Sequence, residues 1–294
     1  MPIKILILGS TGTLGKELVD LFNGDKKYSV TTWSHKDIDV TDILLLNQKI
    51  KELSPEYILN TVAYNSVDDC EDDEVEYAKA ILLNKDVPEA IAKISKELGI
   101  TFVHYSTDYV FGKNEKIEGG FSEDIIPIPN CKYAVSKYLG EEAVKNFSEK
   151  FYIIRLSRLF SKQRGVTGKK SFFEVMLHLS HSQKSLNVVD DEISCFTYAP
   201  DLAKATKSLI EDKCNYGIYH LINEGEESWY QGLRLLFKII AHDTEINPIH
   251  GNAILRNAKR PAFSVLKNTK RPVLHPLKEA LKDFVSSNDF IDLK

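Results

Sequence analysis

The chain has 294 residues, 43% of them hydrophobic, enough to bury a sizeable core without disulfide or metal staples. Its 38 basic and 42 acidic side chains leave a net charge of −4, which lacks the electrostatic footprint of a nucleic-acid binder and points to a small-molecule partner. No stretch reads as a signal sequence or as an apolar run of about 18 residues, so no membrane partner and a cytoplasmic location are expected.

Residues 3–9, Ile-Lys-Ile-Leu-Ile-Leu-Gly, form a continuous apolar run ended by glycine, the pattern of a strand buried on both faces. Leu14, Leu18, Leu21 and Phe22 follow at helical spacing. The alternation repeats with a strand at 28–33 and a helix at 42–53, then a strand at 56–63 and a helix at 75–98. A strand at 100–107, a helix around Tyr133 and a strand at 151–157 complete the series. The predicted fold is α/β: a doubly wound parallel Rossmann sheet with right-handed crossovers and ligands at the carboxyl ends of its strands.

Beyond Arg158 the pattern loosens into a loop at 161–170, helices at 171–182 and 198–212, a further strand of the main sheet at 217–223 and a helix at 227–240. The expected division is a cofactor-binding domain of residues 1–160 plus about 198–223, with a smaller C-terminal substrate-binding lobe of about 161–197 and 224–294. Cys70, Cys131, Cys195 and Cys214 show no CxxC pairing and no histidines at zinc spacing, so reduced thiols and no metal site are expected. The acidic run 68–76 reads as solvated helix N-termini, His104 as a core residue, and the aromatic and leucine positions of 229–240 as core or subunit contact.

The first chemical motif is the turn Gly9-Ser-Thr-Gly12-Thr-Leu-Gly15 between the first strand and first helix. Glycines there let backbone N–H groups approach a pyrophosphate and deliver it to a helix N-terminus. Gly9, Thr11, Gly12, Thr13, Leu14 and Gly15 are the cofactor-binding candidates of this turn. At the end of the second strand the chain reads Trp33-Ser34-His35-Lys36, with no carboxylate before Asp37 to hold a ribose diol. His35 and Lys36 suit a 2′-phosphate, so NADPH is the expected cofactor and NADH the alternative.

The second motif is Tyr133 with Lys137, one helical turn apart on one face. A phenol with a pKa of about 10 is a proton donor at neutral pH, and a neighbouring ammonium with an oxidised nicotinamide would favour its phenolate. Upstream, Ser106 and Thr107 end a buried strand with hydroxyls able to hold a carbonyl oxygen beside Tyr133.

Glycine turn, strand-end hydroxyls and YxxxK, in that order, resemble the short-chain dehydrogenase/reductase superfamily. The segments 9–18, 37–42, 60–71, 106–112, 129–141, 153–160 and 260–266 together resemble the dTDP-4-dehydrorhamnose reductase family, of the extended branch, from about residue 3 to about residue 285. The resemblance implies a nucleotide-sugar substrate, with Gly12, Thr13 and Leu14 on the cofactor pyrophosphate, Asp39 and Val40 at the adenine end, and Ala63, Tyr64 and Asn65 along the cofactor. It implies catalytic roles for Tyr133, Lys137 and Thr107, Lys137 also holding the nicotinamide ribose, and a contact of Thr107 and Asp108 with the reacting sugar. Arg260 is a candidate for the substrate diphosphate, with a structural turn as the competing reading, and a homodimer is implied by resemblance alone.

Two departures fall where the substrate should lie. Arg158 stands where the family usually has an aromatic, and Glu192, Ser194 and Phe196 replace the usual Gln, Gly and Pro. Arg158 is therefore a substrate-binding candidate of a different chemical kind. Two competing functions remain open: a cofactor-binding regulatory subunit resembling that of methionine adenosyltransferase, and a dehydratase or epimerase of the same branch. For a dehydratase the acid–base pair after Thr107 would have to be Asp108-Tyr109, which lacks a second carboxylate.

Overall fold

The computed structural model describes residues 1–161 and 170–286. Its first half runs β1 (Ile3–Leu8), α1 (Thr13–Asn23), β2 (Tyr28–Trp33), α2 (Ile43–Leu53), β3 (Tyr57–Asn60), α3 (Asp69–Asp72), α4 (Glu74–Ile81), α5 (Val87–Leu98), β4 (Thr101–Thr107), α6 (Lys132–Phe147) and β5 (Phe151–Leu156). Then come β6 (Leu159–Phe160), α7 (Phe172–Ser180), β7 (Ser185–Val189), β8 (Thr197–Tyr198), α8 (Ala199–Glu211), β9 (Gly217–His220) and β10 (Asn223–Glu224). The chain closes with α9 (Trp229–Ile240), β11 (Glu245–Ile249), β12 (Leu274–Pro276) and α10 (Leu277–Ser286).

Six parallel strands form one sheet in the order β2-β1-β3-β4-β5-β9. Because successive strand side chains face opposite ways, Ile5 and Ile7 meet Leu14, Leu18 and Phe22 of α1 and Leu202 of α8, while Leu6 and Leu8 meet Leu46 and Ile50 of α2 and Ile91 of α5. Both faces are covered, which is why β1 reads as an unbroken apolar run rather than an alternating one. The chain goes out from β1 to β2 and crosses back to β3, so the crevice between β1 and β3 is the switch point where ligands settle in such sheets. Registers align Leu8 with Asn60 and Asn60 with His104, so β4 runs three residues beyond β1 and β3, level with the end of β5, and carries Thr107 out past the end of β3.

The helix expected over 75–98 is interrupted. Leu82–Asp86 form a π turn between α4 and α5. Pro88 has no N–H to give the carbonyl of Asn84, so the α-helical ladder loosens there. The turn places buried Asn84 between chain segments: it accepts from Tyr64 N and donates to Tyr64 O and Ser136 Oγ, each at 2.9 Å. A second hydrophobic cluster joins Phe160, Phe173, Phe196, Tyr198, Leu233, Leu236, Leu281 and Phe284 from α7, α9, α10 and the short strands. Two-stranded parallel pairs β6/β8, β7/β11 and β10/β12 stitch it together. Of the loop expected at 161–170, residues 162–169 lie outside the described residues.

Candidate active site

A cleft of about 540 Å³ opens at the carboxyl ends of the strands, running from the glycine turn past β4 to α9. Among the described residues other cavities include one of about 660 Å³ along α9 and one of about 650 Å³ at the opposite end of the sheet beside Tyr57 and Tyr152. Neither is lined by the glycine turn or by Thr107, Tyr133 and Lys137, which converge in the cleft at the strands' carboxyl ends.

At one end of the cleft stands the glycine turn. Gly9 sits at φ +77°, the left-handed region, and a Cβ on Gly15 would come within 2.2 Å of Gly9 O, so both positions need glycine for the turn to close on α1. Gly12 caps α1 with no side-chain bond, and the first turn of that helix carries no acidic residue. First-turn amides and the helix dipole thus face the cleft as an anion site. Gly9, Thr11, Gly12, Thr13 and Leu14 line it, whereas Gly15 lies beneath as a packing contact.

His35 lines the cleft at the end of β2, and Lys36 is exposed beside it. The nearest carboxylate in sequence, Asp37, accepts from Ser34 N at 2.8 Å and Ser34 Oγ at 2.7 Å, and these bonds hold it below the ordinary aspartate value. Asp39 and Val40, expected at the adenine end, are not among the lining residues. Asp39 accepts from Thr41 N and Oγ1, and Val40 packs on the core under α2. Ala63 and Asn65 line the cleft, but Tyr64 between them turns away to donate its hydroxyl to Glu76 Oε2 at 2.6 Å.

The centre of the cleft joins Thr107, Tyr133 and Lys137. Lys137 is buried and donates from Nζ to Tyr105 O at 2.7 Å, which anchors α6 to the end of β4. Burial lowers its amine to about 8, against the opposing charge of Glu141. Tyr133 meets Tyr109 edge-to-face with the Thr107 side chain beside it, and the Thr107 hydroxyl donates to Asp108 Oδ1 at 3.2 Å. Burial raises the Tyr133 phenol above the ordinary value and outweighs the lowering influence of the Thr107 side chain, so the downward pull expected from Lys137 does not set the phenol in the ligand-free chain. The phenol is a proton donor at neutral pH, the form a ketone reduction consumes.

Ser106 and Thr107 part company. Ser106 donates to Glu141 Oε1 at 2.5 Å, away from the reacting centre, while Thr107 remains beside Tyr133. Asp108 lines the cleft but is 2% exposed, and its Oδ2 accepts from Ser194 at 2.8 Å and Ser264 at 2.5 Å. Burial raises its carboxyl, the serine bonds opposing it. It braces three chain segments.

The far wall is built from the sequence's departures. Arg158, with φ +41°, lies 4.2 Å from the Trp229 ring and 5.2 Å from that of Phe196, and donates to Glu227 O and Glu192 O, each at 2.8 Å. Arg260 is not among the lining residues: its guanidinium pairs with Asp68 Oδ2 at 2.6 Å and donates to Ala258 O at 3.1 Å.

The chain matches the family described as RmlD substrate binding domain over residues 3–288. It is 33% identical to the spore coat polysaccharide biosynthesis protein SpsK of Bacillus subtilis, covering 89% of this chain and 88% of that protein. It is 31% identical to a dTDP-4-dehydrorhamnose reductase of Aggregatibacter actinomycetemcomitans, covering 89% of each. The chain belongs to the dTDP-4-dehydrorhamnose reductase family. The crystal structure of the Bacillus anthracis dTDP-4-dehydrorhamnose reductase in complex with NADP superposes with a TM-score of 0.90 at 29% identity, over 98% of this chain and 100% of that one.

Against this reductase-family background, the residue that sequence reasoning missed is Trp229. Its helical spacing with Leu233, Leu236 and Phe237 marked it as core, and it does pack against that cluster, but it also lines the cleft under Arg158. A signal was present in the capping box Ser228-x-x-Gln231, which starts α9 at residue 229 and sets that side chain at the helix mouth. Val67 and Leu159 also line the cleft without having been singled out, as does Tyr109, which the sequence brought up only as the non-carboxylate member of a dehydratase pair. Among the described residues no group of three or more His, Cys, Asp or Glu side chains is placed to hold a metal, and no helix is long and apolar enough to cross a membrane.

Proposed function

We propose that this chain reduces the C4 keto group of a nucleotide-activated 6-deoxy-hexulose with NADPH, the substrate being dTDP-4-dehydro-L-rhamnose and the product dTDP-L-rhamnose. The observation that carries the reading is the convergence of Thr107, Tyr133 and Lys137 in a cleft that begins at the glycine turn. Family membership and the NADP bound to the Bacillus anthracis relative support it. The cofactor fits the residues present: the uncapped N-terminus of α1 suits a pyrophosphate, and His35 with exposed Lys36, where no free carboxylate stands, suits a 2′-phosphate.

The cofactor, when bound, supplies the hydride. The chain's own residues position the ketone and move its proton. Thr107 holds the keto oxygen, and Tyr133 donates its phenolic proton to that oxygen as charge develops on it. Lys137, fixed by Tyr105 O, sets an ammonium one turn from the phenol and stabilises the phenolate left behind. The glycine turn and the sheet end supply the cofactor side. The cluster around Phe160, Phe196 and Leu233 supplies the sugar-nucleotide side, as a lobe of about 161–197 and 224–294 set on a cofactor domain of 1–160 plus about 198–223.

The test is NADPH oxidation, followed by absorbance, with dTDP-4-dehydro-6-deoxy-L-mannose generated in place and the UDP analogue in parallel. Oxidation with the dTDP sugar is the expected result. NADPH binding without turnover of either substrate would replace this reading with that of a regulatory subunit.

A further inference from the structure

Arg158 is a half-buried cation that no carboxylate of the described residues neutralises by an ion pair. Among the described residues its hydrogen bonds run to two backbone carbonyls, of Glu192 and Glu227, and a guanidinium has five N–H groups, so three have no partner there. Asp108, whose charge acts on Arg158, turns its Oδ2 to Ser194 and Ser264 instead. The side chain also stands on a left-handed backbone, which a non-glycine residue adopts at a cost and keeps only when its surroundings enforce it.

Those surroundings form one connected device. Trp229 lies under the guanidinium, and its indole Nε1 donates to Glu192 Oε2 at 3.3 Å. Glu192 is itself 7% exposed, paired with Arg256, and offers its backbone oxygen to Arg158. Phe196 closes the edge of the indole at 5.6 Å. Residues from β5's end, the 190–197 segment and α9 thus converge to hold one planar fork in the wall of the cleft, while Arg260 is committed to Asp68.

We infer that Arg158, laid on Trp229 and aligned by Glu192, is the anchor for the substrate's diphosphate, the role that Arg260 does not fill. A planar fork with free N–H groups suits paired phosphate oxygens, and an unneutralised half-buried cation favours a full negative charge over a sugar hydroxyl. Glu192 and Trp229 are positioning residues that act through Arg158. The inference rests on the nucleotide-sugar reading but can be tested by binding alone.

The experiment measures the affinity of the NADPH-loaded chain for dTDP and for thymidine by calorimetry, beside turnover of the dTDP sugar. Arg158→Ala should weaken dTDP binding about ten- to a hundredfold and leave thymidine binding unchanged, with Arg158→Lys between, since a point charge replaces the fork. Glu192→Leu should weaken dTDP in the same direction, Glu192→Gln, which keeps an acceptor for the indole, should restore it, and Glu192→Leu added to Arg158→Ala should cost nothing more. Arg158→Ala with dTDP affinity intact overturns the anchor. So does a loss shared equally by thymidine, or a loss confined to the sugar substrate, which would assign Arg158 to a sugar hydroxyl. An Arg158-dependent grip on dTDP without turnover would uphold the anchor while sinking the proposed reaction, and turnover with an indifferent Arg158 would do the reverse.

Discussion

Glu141 and Arg155 form a fully buried ion pair, Arg155 Nη2 to Glu141 Oε2 at 2.6 Å and Nε to Oε1 at 2.9 Å, one helical turn beyond Lys137 on α6. Ser106 adds a third donor and His220 lies 3.4 Å from the far side of the guanidinium. Glu141→Ala leaves Arg155 buried without a counter-charge, a change that costs roughly 3–5 kcal/mol. Urea unfolding of the variant should show it, and the double replacement Glu141→Leu with Arg155→Met should recover most of the loss. A single variant as stable as the wild type would mean that water reaches Arg155.

Tyr133→Phe removes the hydroxyl that the proposed mechanism uses as its proton donor and keeps the ring. Turnover should fall by about 10²–10⁴-fold with NADPH affinity unchanged, the signature of a group that acts in the transition state. Thr107→Val, which keeps the shape and deletes the hydroxyl, should also lower kcat, by less, because the phenol still reaches the oxygen. Stopped-flow oxidation of NADPH separates these effects from product release. If Tyr133→Phe turned over at the wild-type rate, the proton would have another source.

Lys137 gives opposite pH signatures in stability and in catalysis. Its folded pKa is depressed from 10.5 to about 8 by burial, so the fold prefers the neutral amine. Below about pH 8 both folded and unfolded chains bind the proton and the full penalty applies. Between about 8 and 10.5 the unfolded chain alone binds it, so stability rises with pH by roughly 3 kcal/mol across that window. The proposed mechanism needs the ammonium, so kcat/KM should fall as pH rises through about 8. Comparing wild type with Lys137→Met isolates both: the stability gap between them should narrow from pH 8 to 10, and a constant gap would show that the amine does not titrate there.

The parts of this fold legible in the sequence are those where neighbouring residues decide the outcome. β1 could be read because a strand covered on both faces needs apolar side chains at every position, and the glycine turn because Gly9 and Gly15 meet a backbone constraint within seven residues. The pair Tyr133 and Lys137 could be read because helical spacing fixes their common face. Arg260 could not, since its partner Asp68 lies 192 positions away and nothing local announces it. Ser106 and Thr107 looked equivalent, although strand alternation turns adjacent side chains to opposite faces and so sends one to Glu141 and the other to the cleft. Trp229 was hidden because the helical stripe that buries Leu233 and Leu236 also reaches the cleft at its first residue.

The end of β2 decides between the two nicotinamide cofactors. A carboxylate there would hydrogen-bond the ribose hydroxyls of NADH and repel the 2′-phosphate of NADPH. Asp37 is the carboxylate within reach, and its Oδ2 already accepts from both the amide and the hydroxyl of Ser34. That leaves His35 in the cleft wall and Lys36 exposed next to it, a neutral-to-positive rim. NADPH should therefore be preferred over NADH by at least about tenfold in kcat/KM, the effect of one charge-assisted contact. His35→Asp should invert that preference, lowering affinity for NADPH by both lost attraction and added repulsion while strengthening NADH. Initial rates with each cofactor at saturating sugar nucleotide measure it, and a wild type indifferent to the 2′-phosphate would show that His35 and Lys36 face solvent in the loaded enzyme.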